Sequence, residues 1–351
     1  MTPEDLDRLR PIGCNDAIAG ALGLLEPQGE AMRITAVQRD RVTVDDGGRS
    51  SPAELMPRLA RELAARGESL VVGDWILADS APGLLRVTAR MSPLTQIVRR
   101  ASDGSRQALV SNVDIALMVM GLDGDHNLRR LERYLAMVQS AAVRPVIVLT
   151  KQDLVDTSGQ RLAELQRRIP ADVPVHALDA RSPTAASALQ EYLAAGQTLA
   201  MLGSSGAGKS TLTNTLLGQE MQVTGAVRTG DSRGRHTTTE RTLHRLPHGA
   251  CVIDTPGLRG LEVDASEGGL AAGFVDIAEL ARQCRFRDCR HGDEPGCAVR
   301  AGIDADRLAN YQKLRREVRR DSMTFLDRRR QLAEWKARGR VAEQRMKMKR
   351  G

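Results

Sequence analysis

Aromatic side chains are scarce in this 351-residue chain. It has two Trp, three Tyr and three Phe, and before Tyr134 the sole aromatic is Trp75. Proteins that grip single strands by stacking bases need an aromatic platform, so any contact with RNA is expected to read backbone and shape. Long apolar runs are missing too. The longest, IALMVMGL at 115–122, is too short to cross a bilayer and suits a buried strand. The opening MTPEDLDRLR lacks a basic stretch followed by an apolar core, so no secretory signal is expected. Cysteine is sparse and odd in number: Cys14, Cys251, Cys284, Cys289 and Cys297. Three of them cluster around one histidine, which argues for a metal in a reducing compartment and against a disulfide framework.

What remains is an ordinary globular composition, 41% hydrophobic and 27% charged, long enough for two or three domains. The net charge of +7 is uneven. Residues 311–351 hold 15 Lys and Arg against 5 Asp and Glu, a net of +10, which leaves about −3 for the rest. Such a tail suits contact with phosphate backbones.

No internal repeat is visible. Residues 1–31 are weakly patterned, helix or loop, and are set apart as an N-terminal extension. From 32 to 100 short alternating runs are broken by turns. MRITAVQRDRVTVDDGGR predicts two strands closed by Asp45-Asp46-Gly47-Gly48, and SLVVGDWILADSAPGLLRVTARM continues the pattern with turns at Gly73-Asp74 and Ala81-Pro82-Gly83. A short helix is expected at 51–66. This spacing predicts a small β-barrel of OB type. From 101 to 263 strands and helices alternate (VDIALMVM, NLRRLERYLAMVQSA, RPVIVLT, TLAML, KSTLTNTLLG, GACVIDTPGLRG), which predicts an α/β domain with a parallel sheet. Residues 264–351 read as helical, with the Cys/His cluster and the basic tail.

Gly203-Ser204-Ser205-Gly206-Ala207-Gly208-Lys209-Ser210, followed by Thr211, fits G-x-x-x-x-G-K-[ST] between a strand and a helix. Glycines let the backbone wrap phosphates, and the helix start adds positive potential. Lys209 is expected to reach the β- and γ-phosphates, and Ser210 to ligate Mg²⁺. Asp254, opening DTPG, would hold the Mg²⁺ shell through water, and the Gly257 N–H would meet the γ-phosphate. Thr150-Lys151-Gln152-Asp153 selects the base. A carboxylate at Asp153 accepts from N1 and the 2-amino group of guanine, a donor pair adenine lacks. Lys151 would pack its stem over the base. Thr150 stands where asparagine is common, at some expected loss of rigidity or affinity. In the polar stretch 225–241, Thr238 or Thr239 would complete the Mg²⁺ shell. Leu258 stands where many GTPases carry a water-orienting glutamine, so intrinsic hydrolysis should be slow, with His236 the nearest group to orient water. A P-loop ATPase or kinase is the competing enzyme reading, against which Asp153 argues. A non-enzymatic RNA-binding scaffold with a regulatory nucleotide site is the competing non-enzyme reading, which Leu258 favours.

Cys284-x4-Cys289-x-His291-x5-Cys297 supplies three thiolates and one imidazole. That is a closed tetrahedral Zn²⁺ set with no position left for substrate, hence structural.

The order TKQDL, GSSGAGKSTL, GRHTTT, DTPGL and FRDCRHGDEPGCAV resembles the circularly permuted GTPases of small ribosomal subunit biogenesis, the RsgA (YjeQ) type, over roughly 32–345. The resemblance implies an OB domain, a permuted GTPase domain and a zinc domain. It also implies a cytoplasmic GTP phosphohydrolase, expected to be a monomer away from any membrane, that contacts 16S rRNA on the 30S subunit late in its maturation. Its hydrolysis of GTP to GDP would be stimulated by the subunit and followed by release. Guanine recognition falls on Lys151 and Asp153, phosphates on 203–211 and zinc on Cys284, Cys289, His291 and Cys297. His236 matches a histidine assigned a catalytic part. The permuted order also moves the chain's exit to just after DTPGL, so that the γ-phosphate loop would lead straight into the C-terminal domain.

Overall fold

The computed structural model describes residues 2–25, 29–38, 41–81, 84–101, 105–156, 158–218, 241–255 and 262–322. His236, Thr238, Thr239, Gly257, Leu258 and the basic tail beyond 322 lie outside the described residues.

The weakly patterned N-terminus forms two helices, α1 (Pro3–Leu9) and α2 (Asp16–Gly23). Thr2 and Asp5 build a reciprocal capping box and Asn15 caps α2, satisfying donors that a helix start leaves free. Leu9, Ile12, Ile18 and Leu22 then pack against Trp75 and Met91. These helices are too short to announce themselves by periodicity, and packing stabilises them.

The next strands are β1 (Glu30–Gln38), β2 (Arg41–Asp45), β3 (Ser50–Leu55), β4 (Trp75–Ala81) and β5 (Leu84–Arg90), with α3 (Pro57–Ala65) between β3 and β4. β1 pairs antiparallel with β2 and β4, β2 with β3, β4 with β5, and β3 runs parallel to β5. The sheet therefore closes into a five-stranded barrel around Ile34, Val44, Ile76 and Val87, as the OB reading expects. Three local details differ. The helix expected from 51 starts at Pro57, because Ser50–Leu55 is the third strand, with Ala53 buried in the barrel core. The Asp46–Gly48 turn, in which Asp46 Oδ1 accepts the N–H groups of Gly48 and Arg49, joins β2 to β3 and not β1 to β2. Ser69–Val72 forms no strand. It is a loop held by a bond from the Val71 N–H to Asp74 Oδ2.

β6 (Gln96–Arg100) and β7 (Arg106–Ser111) form an antiparallel ribbon outside the barrel. The α/β region follows with β8 (Ile115–Gly121), α4 (Leu128–Ser140), β9 (Arg144–Thr150), α5 (Ser158–Gln166), β10 (Val175–Ala177), α6 (Thr184–Ala188), β11 (Thr198–Leu202), α7 (Lys209–Leu217), β12 (Thr242–Arg245) and β13 (Cys251–Asp254). The sheet order is β10-β9-β8-β11-β13-β12, parallel except for β12. Alternate residues of β8 feed opposite cores. Ala116, Met118 and Met120 face Leu131 and Leu135 of α4, whereas Leu117 and Val119 share a core with Leu212 and Leu216 of α7. That two-sided burial is why these strands read as continuous apolar runs.

β12 also touches β1, where Ala36 pairs with Thr242, so the α/β sheet and the barrel are continuous. Arg33 pins the same junction. Its side chain is fully buried and donates to the carbonyls of Ile12 (2.5 Å), Asn112 (2.9 Å) and Gly73 (3.4 Å) and to Thr198 Oγ1 (2.8 Å).

The C-terminal region starts with β14 (Glu262–Val263), which pairs with β6, and continues with α8 (Glu267–Gly273), α9 (Val275–Ala281), α10 (Ala298–Gly302) and α11 (Ala305–Ser322). It sits on α4, whose Ala136 belongs to the same core as Phe274, Ile277, Val299 and Leu314. Gly269 permits this approach, since a Cβ there would lie 2.7 Å from the Ala136 carbonyl oxygen. Buried Glu132 of α4 receives Arg168 (3.0 Å), Arg307 (2.8 Å) and Asn310 (2.5 Å), and Arg307 also binds Asp276. A buried carboxylate met by two guanidiniums and an amide is a fully compensated charge.

Candidate functional site

The C-terminal ends of β8, β9, β11 and β13 carry four loops on one edge of the sheet, where open parallel sheets place their ligands. The glycine-rich loop runs from β11 into α7. Gly206 and Gly208 have φ of +82° and +99°, conformations that side chains resist. At Gly203 a Cβ would collide with the Val119 carbonyl. Lys209 is buried and donates to the carbonyls of Gly203 (3.1 Å) and Ser204 (2.9 Å). Burial pulls its ammonium below the ordinary lysine value, while the carboxylates of Asp254 and Asp125 pull the other way. Ser205 and Gly206 are exposed, Ala207 is buried, and Ser210 and Thr211 are half-buried in the first turn of α7.

Thr150 ends β9, fully buried, and its Oγ1 donates to the Ala207 carbonyl across 2.5 Å. The threonine thus ties the two loops together with its hydroxyl. Lys151 takes a left-handed φ of +61° and its Nζ lies 2.7 Å from Asp123 Oδ2. Burial raises the Asp123 carboxyl, but the bond from Lys151 and the N–H of Asp125 outweigh it, leaving a net depression. Gln152 is exposed. Asp153 Oδ2 accepts from Arg181 Nη2 at 2.6 Å. Asp254, 2% exposed, ends β13, and the neighbouring Thr255 hydroxyl donates to the Met201 carbonyl.

Four side chains were not anticipated from sequence. Asp123 and Asp125 lie between β8 and α4, and Asp125 Oδ1 accepts from Ser204 Oγ at 2.6 Å. The loop after β10 brings Asp179 and Arg181 beside Asp153. The one signal available was position: GLDGD follows a buried strand at the ligand-binding edge of a parallel sheet.

About the C-terminal core, Cys284, Cys289, His291 and Cys297 gather so that their ligand atoms all lie within 4.8 Å of one another, an arrangement that could hold a metal ion. Sγ of Cys284 and of Cys297 lie 3.7 and 3.6 Å from His291 Nδ1, and 4.0 Å from each other. His291 is held in a left-handed turn, φ +61°, and its carbonyl accepts from Gln312 Nε2 of α11 at 2.7 Å.

A parallel sheet with a glycine-rich loop ahead of a helix, entered so that the TKQD strand precedes it, defines a circularly permuted P-loop GTPase. A family model described as RsgA GTPase matches residues 91–264. The chain is 43% identical over 331 residues, 90% of each protein, to "Small ribosomal subunit biogenesis GTPase RsgA" of Xanthomonas euvesicatoria pv. vesicatoria. It is 45% identical over 300 residues to the protein of that name in Xanthomonas oryzae pv. oryzae, covering 83% of this chain and 82% of that one. Its fold is similar to the crystal structure of YjeQ from Thermotoga maritima (TM-score 0.60, 24% identity, 82% of this chain and 98% of that one). It is also similar to that of YloQ, described as a circularly permuted GTPase (TM-score 0.55, 21% identity, 85% and 98%). The chain belongs to the RsgA family of GTPases, hydrolases that act on GTP.

Proposed function

We propose that this GTPase works in the biogenesis of the small ribosomal subunit, binding the 30S particle and its 16S rRNA, with hydrolysis of GTP stimulated by the particle and followed by release. The observation that carries the reading is the juxtaposition of the glycine-rich and TKQD loops, joined by the Thr150–Ala207 bond, in a chain so closely related to proteins named for that role. In this reading residues 203–211 cradle the phosphates, Lys209 leaves its loop carbonyls to meet them, and Asp153 with Lys151 takes the guanine. Ser210, Asp254 and Thr238 or Thr239 would hold Mg²⁺, which supplies charge neutralisation at the β- and γ-phosphates. Lys209 is held by the Gly203 and Ser204 carbonyls, with the charges of Asp254 and Asp125 also acting on its ammonium, and would exchange those carbonyls for phosphate oxygens. Gly257 and His236 keep their proposed parts at the γ-phosphate and the attacking water.

The metal of the C-terminal cluster is proposed to be Zn²⁺, structural, one per chain. Tetrahedral Zn²⁺ would set thiolates about 3.8 Å apart and a thiolate about 3.6 Å from an imidazole nitrogen, close to the 4.0 Å and 3.6–3.7 Å spacings in the cluster. The domain limits proposed are an extension to 31, the barrel to 100, the GTPase domain to 263 and the zinc domain beyond. The permuted exit then leads from the γ-phosphate loop to β14 and α8. Among the described residues no helix is long and apolar enough to cross a membrane, in keeping with a proposed cytoplasmic monomer.

Co-sedimentation with 30S, 50S and 70S particles in GTP, GDP and a non-hydrolysable analogue tests the reading. Retention on 30S with the analogue and loss with GDP is expected. Binding that ignores the nucleotide would refute the release step.

A further inference from the structure

We propose that Asp123 and Asp125, on the loop joining β8 to α4, form a two-pronged brace that holds Lys151 and Ser204 in one register, which makes Asp125 a positioning residue for nucleotide binding. The inference rests on the nucleotide-site reading above. Lys151 and Ser204 are far apart in the chain, and each loop follows a different strand. One prong is the 2.7 Å contact of Asp123 Oδ2 with Lys151 Nζ. The other is the 2.6 Å bond from Ser204 Oγ to Asp125 Oδ1. The prongs are joined, because the Asp125 N–H donates to Asp123 Oδ1 at 3.1 Å.

The brace is itself held rigid. Gly121 N–H donates to Asp125 Oδ2 at 3.1 Å, and Arg130 donates to Asp125 Oδ1 at 2.5 Å and to the Asp125 carbonyl. Arg161 donates to the carbonyls of Leu122 and Asp123. A Cβ at Gly121 would collide with Asp123 Oδ1, so a larger residue there would displace that carboxylate. The Asp125 side chain is 15% exposed.

The chemistry sets what these carboxylates can do. An anion beside a phosphate-binding loop repels the ligand if it faces it, so neither group suits direct contact with phosphate. Each instead has a cation of its own, Lys151 for Asp123 and Arg130 for Asp125, and spends its remaining lone pairs on loop geometry. Their contribution is preorganisation: the base and phosphate subsites are fixed before nucleotide arrives, which lowers the ordering cost of binding.

The test is a double-mutant cycle on the full-length chain, read by titration with a fluorescent GDP derivative. Ser204→Ala and Asp125→Ala are each expected to weaken binding about fivefold to tenfold, and the double variant no further than Asp125→Ala alone. Asp125→Asn, which keeps an acceptor for Ser204, should recover part of the loss. With GTP as substrate Asp125→Ala should raise KM in step while its kcat at saturation moves by less than about twofold, as expected when only uniform binding is lost. Unchanged single variants, or losses that multiply in the double, overturn the brace while a GDP-binding parent leaves the nucleotide reading standing. A parent chain that binds no guanine nucleotide overturns both. If Asp125→Ala does not fold, Asp125→Val, which also removes the acceptor, takes its corner of the cycle with the same two outcomes.

Discussion

The Thr150 hydroxyl donates to the Ala207 carbonyl across 2.5 Å, so the last residue of β9 and the glycine-rich loop are directly bonded. Thr150→Val keeps the shape and removes the donor. A buried carbonyl left without its partner costs about 1–3 kcal/mol. Affinity for GDP is therefore expected to fall roughly tenfold, measured by isothermal titration. An unchanged affinity would show that the bond does not order the loop.

Guanine choice is assigned to Asp153. GTP should be held against a large excess of ATP in a competition titration. Asp153→Ala should reduce that preference by at least about a hundredfold, because discrimination rests on one acceptor with a matched donor pair. A variant that still prefers GTP would move base recognition to another residue.

Loss of the proposed Zn²⁺ should unfold one region and spare another. Binding energy at such a site is folding energy. Cys297→Ser is expected to lose one Zn²⁺ per chain by elemental analysis and to lose hydrogen-exchange protection from α9 to α11. The sheet around β11 should stay protected. A variant that retains zinc would exclude Cys297 as a ligand.

Arg33 is predicted to matter for stability, not chemistry. Arg33→Met strands the carbonyls of Ile12, Gly73 and Asn112 and the Thr198 hydroxyl. A loss of at least about 3 kcal/mol is expected from several buried groups left unpaired, read by urea denaturation. A loss under about 1 kcal/mol would place the N-terminal helices, barrel and α/β sheet in independent units.

Much of the α/β region was legible because its strands are buried on both faces. RPVIVLT and TLAML were bounded to the residue by their apolar runs and the loops that follow. The third barrel strand was not. Ser50–Leu55 contains a proline and alternating small and polar residues, and only its pairing with β2 and β5 makes it a strand. The Cys/His cluster was legible because its four members lie within 14 residues of sequence, and the structure gathers all four so that they could hold a metal ion. Asp125 was not legible, since its partner Ser204 lies 79 residues away and an aspartate in a turn looks like surface. Thr150, where asparagine is common, reads as able to bond locally but not to offer an amide, at some expected loss of rigidity or affinity. In the fold its hydroxyl makes the bond that joins the loops.

We propose that the small ribosomal subunit switches this GTPase on. The most direct measurement is the rate of GTP hydrolysis with and without purified 30S particles, using Lys209→Ala as the control for contaminating activity. Slow turnover alone, strong stimulation by 30S and no hydrolysis by Lys209→Ala in either condition are predicted. An equal rate with and without the particle would overturn the proposed activation.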